Sequence, residues 1–332
     1  MELRALGKGQ PKVFPLGIGA MSFSDFYGAT DEAASHAILH AAIEVGVTHI
    51  DTANVYGMGK SERAIGTFLK ANPGARDQFH IATKAGISRL ADGTRVFDNS
   101  PQHLEAELDA SLAKMGVDAV DLLYVHRRDQ SIPIEEVTGT LAGFVQAGKV
   151  KSIGYSEIAP SSLRRAHSLH PVAAVQSEYS LSTRAPELGL VQTCAELGTA
   201  LVAFSPIGRS LLTDAPHSFE AAQSIGFLAN NPRFLPPNYA ANIAATDKLR
   251  ALAADMGIST AGLAIAWVLA QGEHVITIPG TRSVSHFKEL LEGTQRALTS
   301  GDLAAIEAIL PVGWAHGDRY TTAQWDGPER YS

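Results

Sequence analysis

Cysteine is almost missing from the 332-residue chain: Cys194 stands alone. No disulfide can form within the chain, so stability has to come from a packed core, and a reducing compartment, the cytoplasm, is the expected setting. Long uncharged apolar runs are also missing. None approaches the roughly 20 residues that a bilayer demands, and no membrane association is expected. The segment Met1–Lys8 has no apolar signal core. Positive charge is in deficit, with 27 Lys and Arg against 34 Asp and Glu and a formal net charge of −7. A nucleic-acid binder would carry a basic surface, so that class is set aside. Linkers, charge blocks and low-complexity tracts are absent, which favours one domain over residues 1–332.

What is present is a recurring unit of short apolar strand, turn and amphipathic helix. Strands are expected at Leu16–Ala20, Thr48–Asp51, Phe79–Thr83, Val120–Val125, Val150–Gly154, Ala173–Gln176, Ala200–Phe204 and Val275–Ile278. Helical patterns lie between them. The first helix is expected from about Asp31 with Thr30 as N-cap and Ala34, Ile38, Ala41 and Val45 as its apolar stripe. Ser100-Pro101 reads as the N-cap and first position of another. Eight alternating units favour a closed (β/α)8 barrel of the TIM type, with a doubly wound sheet as the alternative. Two segments break the rhythm. Residues 205–242, after strand seven, are long and rich in Pro, Gly and Asn, and the tail from Pro311 is polar with scattered aromatics. Both are expected at the barrel mouth, the tail lying over it.

Four titratable residues fall at or just after the ends of these strands, where a barrel places catalysis: Asp51, Tyr56, Lys84 and His126. A buried polar group is costly unless paired, so each needs a reason to be there. One arrangement uses all four. A Tyr hydroxyl can protonate a developing alkoxide, but its ordinary pKa is near 10. A neighbouring Lys84 ammonium would favour the phenolate and bring that pKa down. Asp51 would hold Lys84, and His126 would orient the substrate carbonyl oxygen. Taken singly, each residue has a plainer reading: a strand-end cap, a loop aromatic, a structural ion pair, a core histidine.

The stretch Asp51-Thr52-Ala53-Asn54-Val55-Tyr56-Gly57 with Gly59-Lys60-Ser61-Glu62 resembles the signature of the aldo-keto reductases. Blocks at Ile81–Lys84, Asp121–Arg127, Gly154–Glu157, Val175–Ser180, Phe204–Arg209 and Ile278–Arg282 continue it in order over nearly the whole chain. The resemblance implies reversible NADPH-dependent reduction of an aldehyde or ketone. Tyr56 is then the general acid, Lys84 and Asp51 its tuning pair and His126 the orienting histidine. Ser156 and Gln176 match residues that hold the nicotinamide carboxamide, and Phe204 replaces the family's ring-stacking Tyr. Ser205, Pro206, Gly208 and Arg209 match the loop over the pyrophosphate. Gly280, Thr281 and Arg282 match the adenosine-phosphate turn, with His286 and Glu289 beyond it. No metal is implied.

The chain departs from the family pattern at Glu157, usually Asn, and at Leu290, usually an adenine-reading Asn. Ser283 and His286 stand where a basic residue often grips the 2′-phosphate. NADP(H) therefore rests on Arg282, and NAD(H) stays open. Phe23, Phe26, Tyr27, Val55 and Arg127 are expected near a small-molecule carbonyl substrate. Those aromatic walls suit an apolar substrate, whereas Arg127, Arg128 and Arg233 suit an anionic one. Two further readings remain: a cofactor-binding subunit of a larger complex, and a barrel enzyme with Asp51 and His126 as metal ligands. Oligomeric state is not readable. His36, His40 and Glu44 read as a solvated helix face, and Gly17-Ile18-Gly19 as no dinucleotide fingerprint.

Overall fold

The computed structural model describes residues 2–90 and 92–331. Eight parallel strands follow one another around a ring: β1 (Ile18–Gly19), β2 (His49–Asp51), β3 (His80–Ala85), β4 (Leu122–Val125), β5 (Ile153–Ser156), β6 (Val172–Glu178), β7 (Ala200–Phe204) and β8 (Val275–Thr277). The ring closes where Leu16 bridges Thr277 in parallel. Gly17 N donates to Thr277 O at 2.7 Å, and Thr277 N to Pro15 O at 2.9 Å. The expected (β/α)8 barrel is the observed fold. The expected strands are found within a few residues, the fifth shifted from Val150–Gly154 to Ile153–Ser156.

The strand pattern follows from burial on both faces. Inward positions such as Ala82, Leu122, Tyr124, Ala174, Val202 and Ile276 form a core inside the barrel. The alternate residues, among them Ile81, Leu123, Val125, Val175 and Leu201, belong to a separate core against the surrounding helices. Period-two alternation is thus present, but both phases are apolar, which is why the strands read as continuous apolar runs. An N-terminal hairpin, Arg4–Ala5 with Lys12–Val13, plugs the end opposite the mouth, and its Leu6 and Val13 join the inner core.

Two strand glycines are steric requirements. A Cβ on Gly19 would come within 2.5 Å of Ile278 O. One on Gly154 would come within 2.6 Å of both Ala174 O and the Tyr124 ring. Gly19 therefore serves barrel closure, and a Cβ on Gly17 would come within 2.8 Å of the His49 ring.

The wall is clad by α1 (Glu32–Val45), α2 (Lys60–Ala71), α3 (Pro101–Met115), α4 (Ile134–Gln146), α5 (Pro160–Leu169) and α6 (Leu190–Leu197). The chain continues through α7 (Asn238–Asp255), α8 (Thr260–Leu269), α9 (Val284–Gln295) and α10 (Ser300–Ile309). Ser100 caps α3 as expected, its hydroxyl accepting from His103 N. In α1 the cap is Asp31, not Thr30: its carboxylate accepts from Ala34 N at 2.8 Å. The stripe of α1 is also displaced, to Ser35, Ile38, Leu39 and Ala42, leaving Val45 45% exposed. Glu44 is exposed as expected, and of the two histidines His40 is exposed and His36 half-buried. Both lie edge-on to Phe68 of α2, at 5.3 and 4.9 Å between ring centres, and His36 Nε2 lies 3.0 Å from Ala64 O.

The segment after β7 is more ordered than its composition suggests. It holds short helices at Phe219–Ser224 and Gly226–Ala229, and α7 begins at Asn238. The tail runs back across the mouth to Tyr331, with a capped turn at Thr322–Trp325.

Candidate active site

The three strand ends and the loop after β2 deliver their polar groups to one point. Register places Lys84 opposite Tyr124, Tyr124 opposite Gly154, and Gln176 opposite Ser156. Lys84 is wholly buried and ion-pairs with Asp51 Oδ1. Its Nζ also donates to Thr52 O at 2.8 Å and to the Tyr56 hydroxyl at 3.3 Å. The second Asp51 oxygen accepts from Gln176 Nε2 at 2.7 Å. His126 lies edge-on to the Tyr56 ring, 5.8 Å between centres. The four residues singled out from the sequence are therefore one cluster.

The loop carrying Tyr56 is held from both sides. Asn54 N donates to Lys84 O at 3.2 Å, and Ser61 N to Tyr56 O at 3.3 Å. Ser61 Oγ donates to Ala20 O at 2.7 Å. Glu62, buried at the start of α2, accepts from Thr83 Oγ1 at 2.7 Å and lies 3.3 Å from Lys114 Nζ. Lys60 pairs with Asp25. The Gly-Lys-Ser-Glu run is thus a brace for the Tyr56 loop.

Burial raises the Tyr56 pKa above its usual 10, and the opposing pull of Lys84 does not cancel it. The expected net lowering by Lys84 is not what this environment gives, because desolvation of a phenolate outweighs one nearby ammonium already shared with Asp51. Tyr56 is therefore held as the neutral, proton-donating phenol. Burial also works against the Lys84 ammonium, but Asp51 and Tyr56 outweigh it and its pKa lies above the usual value. His126 is pushed well below its usual pKa, first by burial and then by Arg127, Lys84 and Arg95. It is a neutral imidazole, and its buried Nδ1 has no partner among the described residues.

The other expected contacts are distributed around this centre. Ser156 Oγ accepts from Arg127 Nη1 at 2.9 Å. Phe204 is half-buried at the end of β7. Ser205, Gly208, Arg209 and Ser210 form a turn with φ of 51°, 58°, 56° and 80°, and Pro206 is buried within it. Gly280 and Arg282 are exposed, and Arg282 Nη1 donates to Ala29 O at 2.8 Å. Thr281 Oγ1 accepts from Ser283 N at 3.1 Å, and Ser283 caps α9, accepting from His286 N. His286 is exposed, Glu289 half-buried, and Leu290 lies in the core. Phe26 and Tyr27 sit together under Phe227, and Val55 is half-buried beside Tyr56 in sequence. Phe23 is only 1% exposed and packs into the core, so it presents no surface to the mouth.

A family model, the aldo/keto reductase family, matches residues 15–311. The chain belongs to the aldo/keto reductase family, whose members are nicotinamide-dependent oxidoreductases. It is 34% identical over 316 residues to the aldo-keto reductase yakc [NADP(+)] of Schizosaccharomyces pombe, covering 94% of this chain and 93% of that one. It is 36% identical over 310 residues to the probable aldo-keto reductase 1 of Glycine max, covering 93% and 89%. Among solved structures it resembles the glycerol dehydrogenase AKR11B4 of Gluconobacter oxydans, with TM-score 0.81, 27% identity, and 93% and 94% of the two chains covered. The thermostable aldo-keto reductase Tm1743, solved with the inhibitor epalrestat, follows at TM-score 0.72 and 26% identity, covering 93% and all of that chain.

What went unread in this aldo/keto reductase sequence is a second buried ionic layer. Glu178, at the end of β6, accepts from Arg209 through both oxygens at 2.8 and 2.7 Å and from Thr183 Oγ1 at 3.0 Å. Arg233 lies 3.7 Å and Arg319 3.5 Å from it. Glu157, after β5, pairs with Arg319 of the tail and accepts from Glu178 N at 2.8 Å and from Ser177 Oγ at 3.1 Å. Arg209 is thereby committed to Glu178 and stacks on Phe227, its guanidinium 4.9 Å from the ring centre. The strand-end criterion that picked out Asp51 and Lys84 applies equally to Glu157 and Glu178, and would have found them.

Burial pushes the Glu178 carboxyl up, but Arg209 and Arg319 outweigh it and hold it at about 2 against the usual 4.5. A depressed carboxyl pKa contributes stability that is complete above the unfolded value and lost as pH falls through the folded one. Wild-type unfolding free energy should therefore decline by a few kcal/mol between about pH 4.5 and pH 2. In chemical denaturation at stepped pH, Glu178→Gln should start less stable and decline less steeply across that window.

Proposed function

We propose that the protein reversibly reduces an aldehyde or ketone to an alcohol with NADP(H), Tyr56 donating the proton. The carrying observation is the Tyr56 hydroxyl 3.3 Å from the buried Lys84 ammonium, whose counter-ion Asp51 is fixed by Gln176. Family membership supplies the cofactor class. The alternative of Asp51 and His126 as metal ligands meets an Asp51 with both oxygens engaged, one by Lys84 and one by Gln176.

Two features of the mouth support a dinucleotide there. Non-glycine residues at positive φ cost of order 1–3 kcal/mol each and persist where surroundings require them. The run Ser205–Ser210 concentrates three such residues beside Gly208, and turns of this kind gather backbone N–H groups into anion-binding concavities. The α9 N-terminus, capped by Ser283 with Arg282 exposed before it, suits a phosphate through its free N–H groups and dipole. Arg282 supports NADP(H) over NAD(H), as does the printed name of the yeast relative.

When bound, the cofactor supplies the hydride from its nicotinamide ring. The chain's own residues do the rest. Tyr56 hydrogen-bonds the carbonyl oxygen and passes its proton to the forming alkoxide. Lys84 stabilises the phenolate left behind, which Asp51 makes affordable by keeping the ammonium buried. His126, neutral, positions the carbonyl without competing for the proton. The barrel wall excludes water, which strengthens each of these interactions.

Tyr56→Phe should lower carbonyl turnover by about 10²–10⁴-fold while nucleotide affinity, read by fluorescence titration, stays near wild type. Undiminished turnover removes Tyr56 as the donor. Arg282→Ala should weaken NADPH binding about tenfold or more, a typical cost for one charge-assisted phosphate contact, and leave NADH binding little changed. Equal effects on both nucleotides contradict the assignment of Arg282 to the 2′-phosphate.

A further inference from the structure

The mouth holds arginines that no carboxylate among the described residues pairs with directly. The sequence offers Arg127, Arg128 and Arg233 as receptors for an anion, and the structure separates them. Arg128 is buried, pairs with Glu329 at 3.0 Å and donates to Ile132 O at 2.6 Å. Arg233 is absorbed by Glu178 and by Thr183 Oγ1 at 2.8 Å. Arg127 differs. Its partners are three neutral oxygens: His126 O at 2.7 Å, Ser156 Oγ at 2.9 Å and the Tyr320 hydroxyl at 3.4 Å. Among the described residues it has no ion-pair partner.

A second arginine lies near it. Arg95, in the hairpin that follows β3, sits over the Phe97 ring at 5.2 Å and donates to Ala323 O at 3.1 Å. It too lacks an ion-pair partner among the described residues, although the Asp326 carboxylate acts on it at longer range. Arg127 and Arg95 repel each other. Two guanidinium groups with no carboxylate at ion-pair distance, only Asp326 and the already paired Glu157 farther off, are unfavourable in a partly desolvated place unless an anion arrives.

The cofactor's phosphates do not account for this pair. The turn at Ser205–Ser210 and Arg282 follow β7 and β8, whereas Arg95 and Arg127 follow β3 and β4, on the other side of the ring. Arg127 itself borders the reacting centre, its Nη1 bonded to His126 O at 2.7 Å and to Ser156 Oγ at 2.9 Å, and its charge acts on both Tyr56 and His126. A carbonyl held by Tyr56 and His126 would therefore place a neighbouring substituent against Arg127.

We propose that the substrate is an anionic carbonyl compound whose oxyanion, a carboxylate or phosphate, pairs with Arg127, with Arg95 adding attraction at the rim. This rests on the reductase reading and adds the substrate's chemical class to it. Tyr320, which bonds Arg127 and stands beside Arg319 of the tail-anchoring layer, closes the far side of the same subsite.

The test compares matched pairs with NADPH: the three carboxybenzaldehyde isomers against their methyl esters, and glyceraldehyde 3-phosphate against glyceraldehyde. At least one acid or phosphate should exceed its neutral partner in kcat/KM by about tenfold, with the preference shrinking at high salt. Preference for carboxylates alone or for the phosphate alone identifies the oxyanion. In Arg127→Met the ratio of charged to neutral substrate should collapse towards one, chiefly through KM, and Arg127→Lys should restore part of it. Arg95→Gln should reduce the ratio by a smaller factor. Neutral partners equal or better in every pair for the wild type overturn the proposal, even if the variants fail to fold. So does a charged preference that survives in Arg127→Met. Reduction of neither member of any pair, with nucleotide bound, refutes the reductase reading itself and the proposal with it.

Discussion

A lysine ammonium sits at the axis of this barrel with no access to water, and much of the architecture follows from keeping it there. Burying such a charge costs several kcal/mol unless its partners are close and their remaining atoms satisfied. Lys84 meets that condition with Asp51, Thr52 O and Tyr56. Asp51 in turn needs Gln176 from the far wall of the barrel. The Tyr124 ring, 5.8 Å from Lys84 Nζ, floors the site. It fits only because Gly154 leaves room for it. Five strands are thus tied to one ion pair, and removing either partner would strand a buried charge.

The second ionic layer performs a comparable service for the mouth. Glu157 and Glu178 face Arg209, Arg233 and Arg319, which arrive from the loop after β7, from the turn preceding α7 and from the tail. These segments are long and irregular, and hydrophobic packing alone would hold them weakly. Fixed to two strand-end carboxylates, they become walls of defined position. Tyr320 then lies against Arg127, and Glu329 reaches Arg128 and Ala159 N. Around two carboxylates the mouth of this negatively charged chain gathers Arg209, Arg233 and Arg319, with Arg127 unpaired beyond them among the described residues, an arrangement that suits the anionic dinucleotide and anionic substrate proposed above.

The barrel was legible because its physics is local: short apolar strands bounded by turns alternate with capped helices, and eight such units leave few topologies. The buried polar cluster was legible because Asp51, Lys84 and His126 interrupt apolar strand ends. The stripe of α1 was misread because Val45 looks core-like in isolation, whereas the helix axis turns Ser35 and Leu39 inward and leaves Val45 to solvent. Phe23 was assigned to the mouth by proximity in sequence, yet the tight turn after β1 folds it into the core. The partners of Glu157 and Glu178 lie up to 162 residues away, as for Glu157 and Arg319. No local pattern announces such pairings, nor does one say which of three arginines will be left without a carboxylate. The Tyr56 pKa went the other way from expectation for a similar reason. Spacing reveals the nearby ammonium and is silent about how completely the phenol is desolvated.

The most direct test of the central ion pair replaces both members by uncharged isosteres. Asp51→Asn combined with Lys84→Met leaves no stranded charge, so the chain should fold with a thermal unfolding midpoint close to wild type. If the pair exists to stabilise the phenolate of Tyr56, carbonyl turnover at saturating NADPH should fall by ~100-fold or more while nucleotide affinity changes by less than about threefold. Turnover within a few-fold of wild type in the folded double variant would contradict the account.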